Sequence, residues 1–432
     1  MELSSLYQLF QNSSGVTTDS RHCSEGSLFI ALKGESFNGN AFAKQALKDG
    51  CAYAVVDDPC YAVEGDNRYI PVENSLETLQ QLANYHRRQL SAKVIAITGT
   101  NGKTTTKELI AAVLSQSYHV LYTTGNLNNH IGVPLTLLQL TAQHDFAVVE
   151  MGANHPGEIK VLTAIADPDW GIITNVGKAH LEGFGSLEGV VRTKGELYDY
   201  LREKTHTSIF IWDDSSHLKS MASGLDQIAY GTNGDLYING QVRNHSSYLA
   251  FEWRNGRKGV WHPVQTQLIG EYNLPNALAA VAVGYFFGVN SQNINQALEN
   301  YTPQNNRSQL KKTESNILII DAYNANPTSM AAALENFKNM PALHKTLILG
   351  DMRELGLESA VEHQKIIETI DASHFEQVFL VGENFAATKH TYLSYPTVQE
   401  LIATFQTVRP EGKTILIKGS NGVNLGQVIE FL

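Results

Sequence analysis

Short apolar runs and helical periodicities alternate along this chain. SLFIAL (27–32) and YAVVD (53–57) read as strands, with a helix from Ala41 to Asp49 between them that Gly50 ends. A longer helical pattern from Leu76 to Leu90 stops before Ser91-Ala92. The apolar run Val94 to Ile97 follows at once. FAVVEMG (146–152) and GIITNVG (171–177) are continuous apolar runs closed by polar loops, the pattern of buried parallel strands, and IFIWDD (209–214) is a third candidate. Residues 227–269 are polar and rich in Gly and Tyr, with alternating runs such as YLAFEW (248–253), which predicts an antiparallel patch. An Ala-rich helix from Asn276 to Phe287 comes next. Beyond Thr302-Pro303, four further runs alternate with helical patterns: ILIIDA (317–322), TLILGD (346–351), VFLVGE (378–383) and TILIKG (414–419).

This alternation predicts an α/β chain with doubly wound sheets, whose ligands sit beyond the carboxyl ends of the strands. A chain of 432 residues is too long for one core. The composition shifts place three domains: a small α/β domain at 1–92, a central phosphate-loop α/β domain at 93–302, and a second doubly wound domain at 303–432.

The central domain opens with KVIAITGTNGKTTT (93–106). An apolar strand feeds a glycine-rich loop and then a helix. Gly99 and Gly102 let the N–H groups of a loop that includes Thr100 and Asn101 approach phosphate oxygens. Lys103 supplies a cation, and Thr104 or Thr105 a hydroxyl for Mg²⁺. The loop departs from GxxxxGK[ST], because Ile97 stands where the first Gly belongs. That points away from ordinary GTPases, and no NKxD guanine reader is present. Glu150, ending a buried strand downstream, is placed to hold Mg²⁺ together with Thr104. His180, in NVGKAHLEGFGS (175–186), follows the next strand and is a candidate second metal ligand. Lys194, in VVRTKGEL, reads by itself as an exposed helix lysine.

Two polar loops add candidates. NLNNHIGVPLTL (126–137) gathers Asn128, Asn129 and His130, which suit an oxygen-rich ligand or a hydrogen-bonded loop equally. In IDAYNANPTSM (320–330), Asp321 ends a strand and Asn326 can cap a helix begun by Pro327, which leaves Tyr323 and Asn324 without a structural reason. Arg307 can reach a phosphate across the second boundary.

The net charge of −11 argues against broad binding of nucleic acid or anionic membranes, and no apolar run reaches membrane-spanning length. Three cysteines without metal spacing and no signal peptide predict a cytoplasmic protein with reduced thiols.

Together, GTNGKTT, Glu150, HLEGFGS, EYNLPNALAA (271–280) and DAYNANP resemble the Mur ligase family, over essentially the whole chain. TTDSR (17–21), LFIALKGESFNGN (28–40), EMGANHPGEI (150–159) and NLNNHIGVPL narrow the resemblance to the branch that adds a dipeptide. It implies that the last domain is Rossmann-like. It also implies ATP, two Mg²⁺ sites, UDP-N-acetylmuramoyl-tripeptide and D-alanyl-D-alanine, and a monomer. Carried over by motif, Ser20 and Arg21 bind the UDP end, and Asn128, Asn129 and His130 contact the precursor. Glu150 and His180 ligate metal, and Lys194 bears a carbamate beside the second Mg²⁺. Asn273 and Asn276 lie near adenine, and Arg307, Asp321 and Tyr323 contact the nucleotide. Related ligases that add a single amino acid, and folylpolyglutamate synthases, share the ATP site. TTDSR and NLNNHIGVPL disfavour the folate enzymes. Two departures stand out: Asn40 where relatives often have His, and Asn421 where they often have Arg after KGS.

Overall fold

The computed structural model describes residues 2–244, 247–303 and 308–432; Arg307 lies outside them. Three sheets organise the chain. The first is small and all-parallel, built from Val16–Thr17, Leu28–Ile30, Tyr53–Val56 and Tyr69–Pro71. Its last helix, Ser75–Arg88, is capped by Asn74 and buries Leu79, Leu82, Ala83 and His86. Asn40, the departure noted above, is a buried joint here. Its amide nitrogen donates to Asp57 Oδ1 at 2.8 Å and its oxygen accepts from Asp57 N at 3.0 Å.

The central sheet has nine strands. Lys93–Thr98 lies between Phe146–Glu150 and Trp170–Ile173, parallel to both. The register sets Ile97 opposite Glu150 on one side and opposite Ile172 on the other. Three loops therefore leave the sheet side by side at one edge. The expected antiparallel patch is antiparallel only among Ile238–Asn244, Tyr248–Asn255 and His262–Ile269. Gln227–Gly231 runs parallel to both Ser208–Trp212 and Ile238–Asn244, so the patch extends the central sheet. Alternation of apolar and polar residues reports which face is wet, not strand direction. Leu274–Phe286 is buried on nearly every side, which explains its apolar, small-residue composition.

The last sheet has six strands, five parallel and one antiparallel edge, Gln309–Lys312. Ile317–Asp321 pairs with Thr414–Lys418 in a register that sets Asp321 opposite Lys418. Among the described residues no helix is long and apolar enough to cross a membrane.

Candidate active site

The phosphate loop is shaped by two glycines in backbone conformations that L side chains rarely adopt. Gly99 has φ +142° and Gly102 φ +78°. Space enforces the same choice. A Cβ on Gly99 would lie 2.0 Å from Thr174 Oγ1, and one on Gly102 would lie 2.5 Å from Asn276 Oδ1. The helix Lys103–Leu114 starts at the loop, so its free N–H groups and positive end face the same space.

The third strand end holds the loop from the side. Thr100 N donates to Asn175 O at 2.9 Å, Asn101 N to Asn175 Oδ1 at 3.0 Å, and Asn175 Nδ2 returns to Asn101 O at 3.0 Å. Thr174 Oγ1 adds a 2.6 Å bond to Asn101 O. Asn175 is a site residue that motif reasoning passed over, although it stood in the quoted GIITNVG run. Lys103 Nζ donates to Gly99 O at 2.8 Å and to Thr100 O at 3.1 Å, so the cation lies folded over its own loop.

Glu150 is buried, 2% exposed. Thr104 Oγ1 donates to its Oε2 at 2.9 Å and Asn128 Nδ2 to its Oε1 at 2.9 Å. Lys107, also buried, brings Nζ to 3.9 Å. Thr104 and Glu150, expected from the sequence to share Mg²⁺, are hydrogen-bonded to each other, and Asn128 orients the carboxylate. Asn129 acts locally: its Oδ1 accepts from Ile131 N and Gly132 N at 3.1 and 2.9 Å. His130 faces the cleft, and its carbonyl accepts from Gln80 of the first domain at 3.0 Å.

Asn273 and Asn276 form a relay behind Gly102. Thr106 Oγ1 donates to Asn276 Oδ1 at 3.1 Å, Asn276 Nδ2 to Asn273 Oδ1 at 2.8 Å, and Asn273 Nδ2 to Ile269 O at 2.9 Å. Both also line the cleft, along with Thr105.

Lys194 corrects the reading as an exposed helix lysine: it is 2% exposed. The helix Leu187–Arg202 buries Val190, Lys194, Leu197 and Leu201, so the lysine sits on the apolar stripe. That spacing was in the sequence and would have found it. Its Nζ lies 3.4 Å from Ala153 O and 5.2 Å from the Phe184 ring. Burial, assisted by the charge of Lys103, pulls its pKa down to about 7. His180 sits nearby in a left-handed conformation, φ +50°, and its Nδ1 pairs with Glu354 of the last domain.

The last domain closes the cleft. Lys418, 1% exposed, holds Asp321 Oδ2 at 2.5 Å and Asn324 O at 3.3 Å. Tyr323 lines the same wall. Asn326 caps Pro327–Asn339, accepting from Ser329 N at 2.9 Å, and also reaches the phosphate loop. The resulting cleft of about 990 Å³ is lined by all three domains, from Leu76 and Gln80 through the phosphate loop to Asp321 and Lys418. Ser20 and Arg21 are not brought into it. Arg21 is exposed and clamps Asp19 at 2.9 and 2.8 Å, which holds the Asp19 carboxyl well below the usual range.

The oxygen donors Glu150 and Thr104 fit a hard divalent cation. Among the described residues no three His, Cys, Asp or Glu side chains cluster as a self-sufficient metal site, so phosphate oxygens and water would complete the coordination.

A phosphate loop with a strand-end carboxylate, facing a second doubly wound domain across one cleft, defines an ATP-dependent amide-bond-forming ligase. The chain belongs to the Mur ligase family. It matches "Mur ligase family, catalytic domain" over residues 12–87, "Mur ligase middle domain" over 97–284, and "Mur ligase, glutamate ligase domain" over 306–421.

It is similar to the UDP-N-acetylmuramoyl-tripeptide–D-alanyl-D-alanine ligase of Bacillus subtilis, with 35% identity over 97% of this chain and 93% of the relative. The Escherichia coli ligase of the same name is 36% identical over 96% of this chain and 93% of the relative. The crystal structure of MurF ligase from Thermotoga maritima in complex with ADP superposes with a TM-score of 0.86. It has 25% identity, covering 98% of this chain and 97% of that one.

Proposed function

We infer that this protein joins D-alanyl-D-alanine to UDP-N-acetylmuramoyl-tripeptide with cleavage of ATP, in peptidoglycan precursor synthesis. One observation carries this reading. The phosphate loop, Glu150 and the strand ends of the last domain face one another across a single cleft, as transfer between two bound substrates requires.

The tripeptide carboxylate attacks the γ-phosphorus of ATP, ADP leaves, and an acyl phosphate forms. The dipeptide amine attacks the acyl carbon, the C–O bond to phosphate breaks, and inorganic phosphate and a proton are released. The obstacle is charge, because a carboxylate approaches a polyanion. Lys103 and the loop N–H groups offset that repulsion. Mg²⁺ held at Thr104 and Glu150 would neutralise phosphate charge. His180 and a carbamate on Lys194 would serve a second ion. A lysine with its pKa near 7 supports this assignment, because CO₂ adds only to the neutral amine.

Asn273 and Asn276 are assigned to the adenine side, and Asp321 and Tyr323 to the nucleotide. Ser20 and Arg21 are assigned to the UDP end, on a first domain ending near residue 92. The second boundary lies near residue 302. The protein acts as a cytoplasmic monomer.

The test is release of ADP and phosphate with ATP, Mg²⁺, the UDP-tripeptide and a series of amine acceptors. D-alanyl-D-alanine should be required. Equal turnover with L-alanine or glutamate overturns the assignment, and elution as a dimer in size-exclusion chromatography overturns the monomer.

A further inference from the structure

Eight described residues other than glycine hold positive φ, and two of them, His180 and Glu354, meet across the domain boundary. His180 has φ +50° and Glu354 φ +64°. Such strain persists where surrounding structure enforces it, and it concentrates at functional sites. The His180 imidazole pairs with the Glu354 carboxylate, and Glu182 N donates to Glu354 O at 3.3 Å.

The loop that carries Glu354 is pinned on both sides. Met352 N donates to His363 Nε2 at 3.0 Å, Arg353 N to Ser420 Oγ at 3.0 Å, and Arg353 Nη2 to Gly422 O at 3.0 Å. Leu355 is buried. Glu354 alone in this run lines the cleft, with half its side chain (52%) exposed.

Four carboxylates line the cleft among the described residues: Glu150, Glu158, Asp321 and Glu354. Glu150 is bonded by Thr104 and Asn128. Glu158 accepts from Asn154 N at 2.6 Å and His155 N at 3.1 Å, and the His155 imidazole lies 3.4 Å from its other oxygen. Asp321 is neutralised by Lys418. Asp321 and Glu354 are the two that belong to the last domain, and with Asp321 tied to Lys418, Glu354 is the last-domain carboxylate that stands half exposed to the cleft. Of the three reacting groups, the ATP phosphate and the precursor carboxylate are anions, and the acceptor's amino group is the one cation.

We propose that Glu354 binds the ammonium of the incoming dipeptide and holds its nitrogen on the last-domain wall, facing the phosphate loop. This rests on the ligase reading above. The ammonium gives up one proton to water before it attacks. Glu354 accepts a hydrogen bond from the nitrogen both before and after that loss, so the nucleophile stays in place.

The test uses the full-length protein with ATP, Mg²⁺ and the UDP-tripeptide, and compares two nucleophiles. Hydroxylamine is small and uncharged at neutral pH, and it reports the acyl phosphate as a hydroxamate without needing an ammonium site. Glu354→Gln should raise the KM for D-alanyl-D-alanine by roughly 10- to 100-fold, the range of a charge-assisted hydrogen bond. Hydroxamate formation should stay within about twofold of wild type. A dipeptide analogue lacking the amino group should inhibit both proteins equally, because its binding does not use Glu354. Glu354→Asp, which keeps the charge but shortens the reach, should give an intermediate KM. An unchanged dipeptide KM overturns the proposal. So does a parallel loss of hydroxamate, which would make Glu354 a brace for His180. If wild-type protein forms hydroxamate but no amide with D-alanyl-D-alanine, the acceptor assignment itself falls and this proposal with it.

Discussion

The side-chain amides of Asn101 and Asn326 pair across the domain boundary. Asn326 Nδ2 donates to Asn101 Oδ1 at 2.8 Å, and Asn101 Nδ2 faces Asn326 Oδ1 at 3.4 Å. One residue belongs to the phosphate loop, and the other caps a helix of the last domain. The phosphate loop and the last-domain helix Pro327–Asn339 therefore share a hydrogen-bonded joint, and Gly177 packs against Thr328 of the same helix.

The cap and the joint can be separated. Asn326→Ala removes both and should cost about 1 kcal/mol of stability, the usual value of an N-cap. Asn326→Ser keeps a capping oxygen but is too short to pair with Asn101. It should unfold within about 0.5 kcal/mol of wild type, yet lower kcat by about fivefold, the worth of one hydrogen bond. Thermal unfolding and steady-state turnover of the two variants check this. Wild-type kcat in Asn326→Ser would remove the joint from the mechanism.

Lys103→Ala should lower kcat by about two to three orders of magnitude, comparable to removing one preorganised donor from a charged transition state. The fold should survive, because the loop is also held by Asn175 and Thr174, whose bonds to Thr100 and Asn101 the substitution leaves in place. Phosphate release and a circular dichroism melt measure the two effects. Loss confined to ATP affinity, with kcat intact, would contradict a role in the transition state.

If Lys194 bears the proposed carbamate, activity should depend on pH and on dissolved CO₂ together. Burial disfavours the ammonium, so the folded protein releases that proton near pH 7, whereas the unfolded chain holds it to about 10.5. Between these values the unfolded state binds more protons, so this group makes stability rise with pH across the window. Below about pH 7 the amine is protonated, carbamate is lost, and turnover should fall unless bicarbonate is raised. Lys194→Ala should be nearly inactive and partly rescued by formate or acetate. Full activity in CO₂-depleted buffer at pH 6 would refute the carbamate.

Lys178 and Glu362 clamp the same two domains, with Nζ 2.7 Å from Oε1. Burial, the largest influence, pushes the Glu362 pKa up, and hydrogen bonds from Lys178 and Lys365 more than offset it. Lys178 is 40% exposed and Lys365 remains in Lys178→Ala, so the stability cost should stay under about 1 kcal/mol. Charge reversal, Lys178→Glu, should instead separate the domains and raise the radius of gyration of the ligand-free protein in small-angle scattering. An unchanged radius would show that the packing at Gly177 and the Asn101–Asn326 joint suffice.

The sequence by itself determined the parts that depend on neighbours in the chain. Apolar runs marked the buried strands, because a strand covered on both faces has little room for polar residues. The spacing of Gly99, Gly102, Lys103 and Thr104 marked the phosphate loop, because the strand, the turn and the helix start are contiguous. Asn326 was legible as a cap for the same reason. Tertiary structure decided whatever depends on which strands become neighbours. The pairing of Asp321 with Lys418 follows from the parallel register of two strands far apart in sequence. Asn175 holds the phosphate loop because its strand lies beside Lys93–Thr98, and periodicity says nothing about strand order. The meeting of Glu354 with His180, and of Asn326 with Asn101, required docking of the last domain on the central one. Such contacts between loops leave no periodic trace, because each residue is polar, local and unremarkable until the other domain arrives.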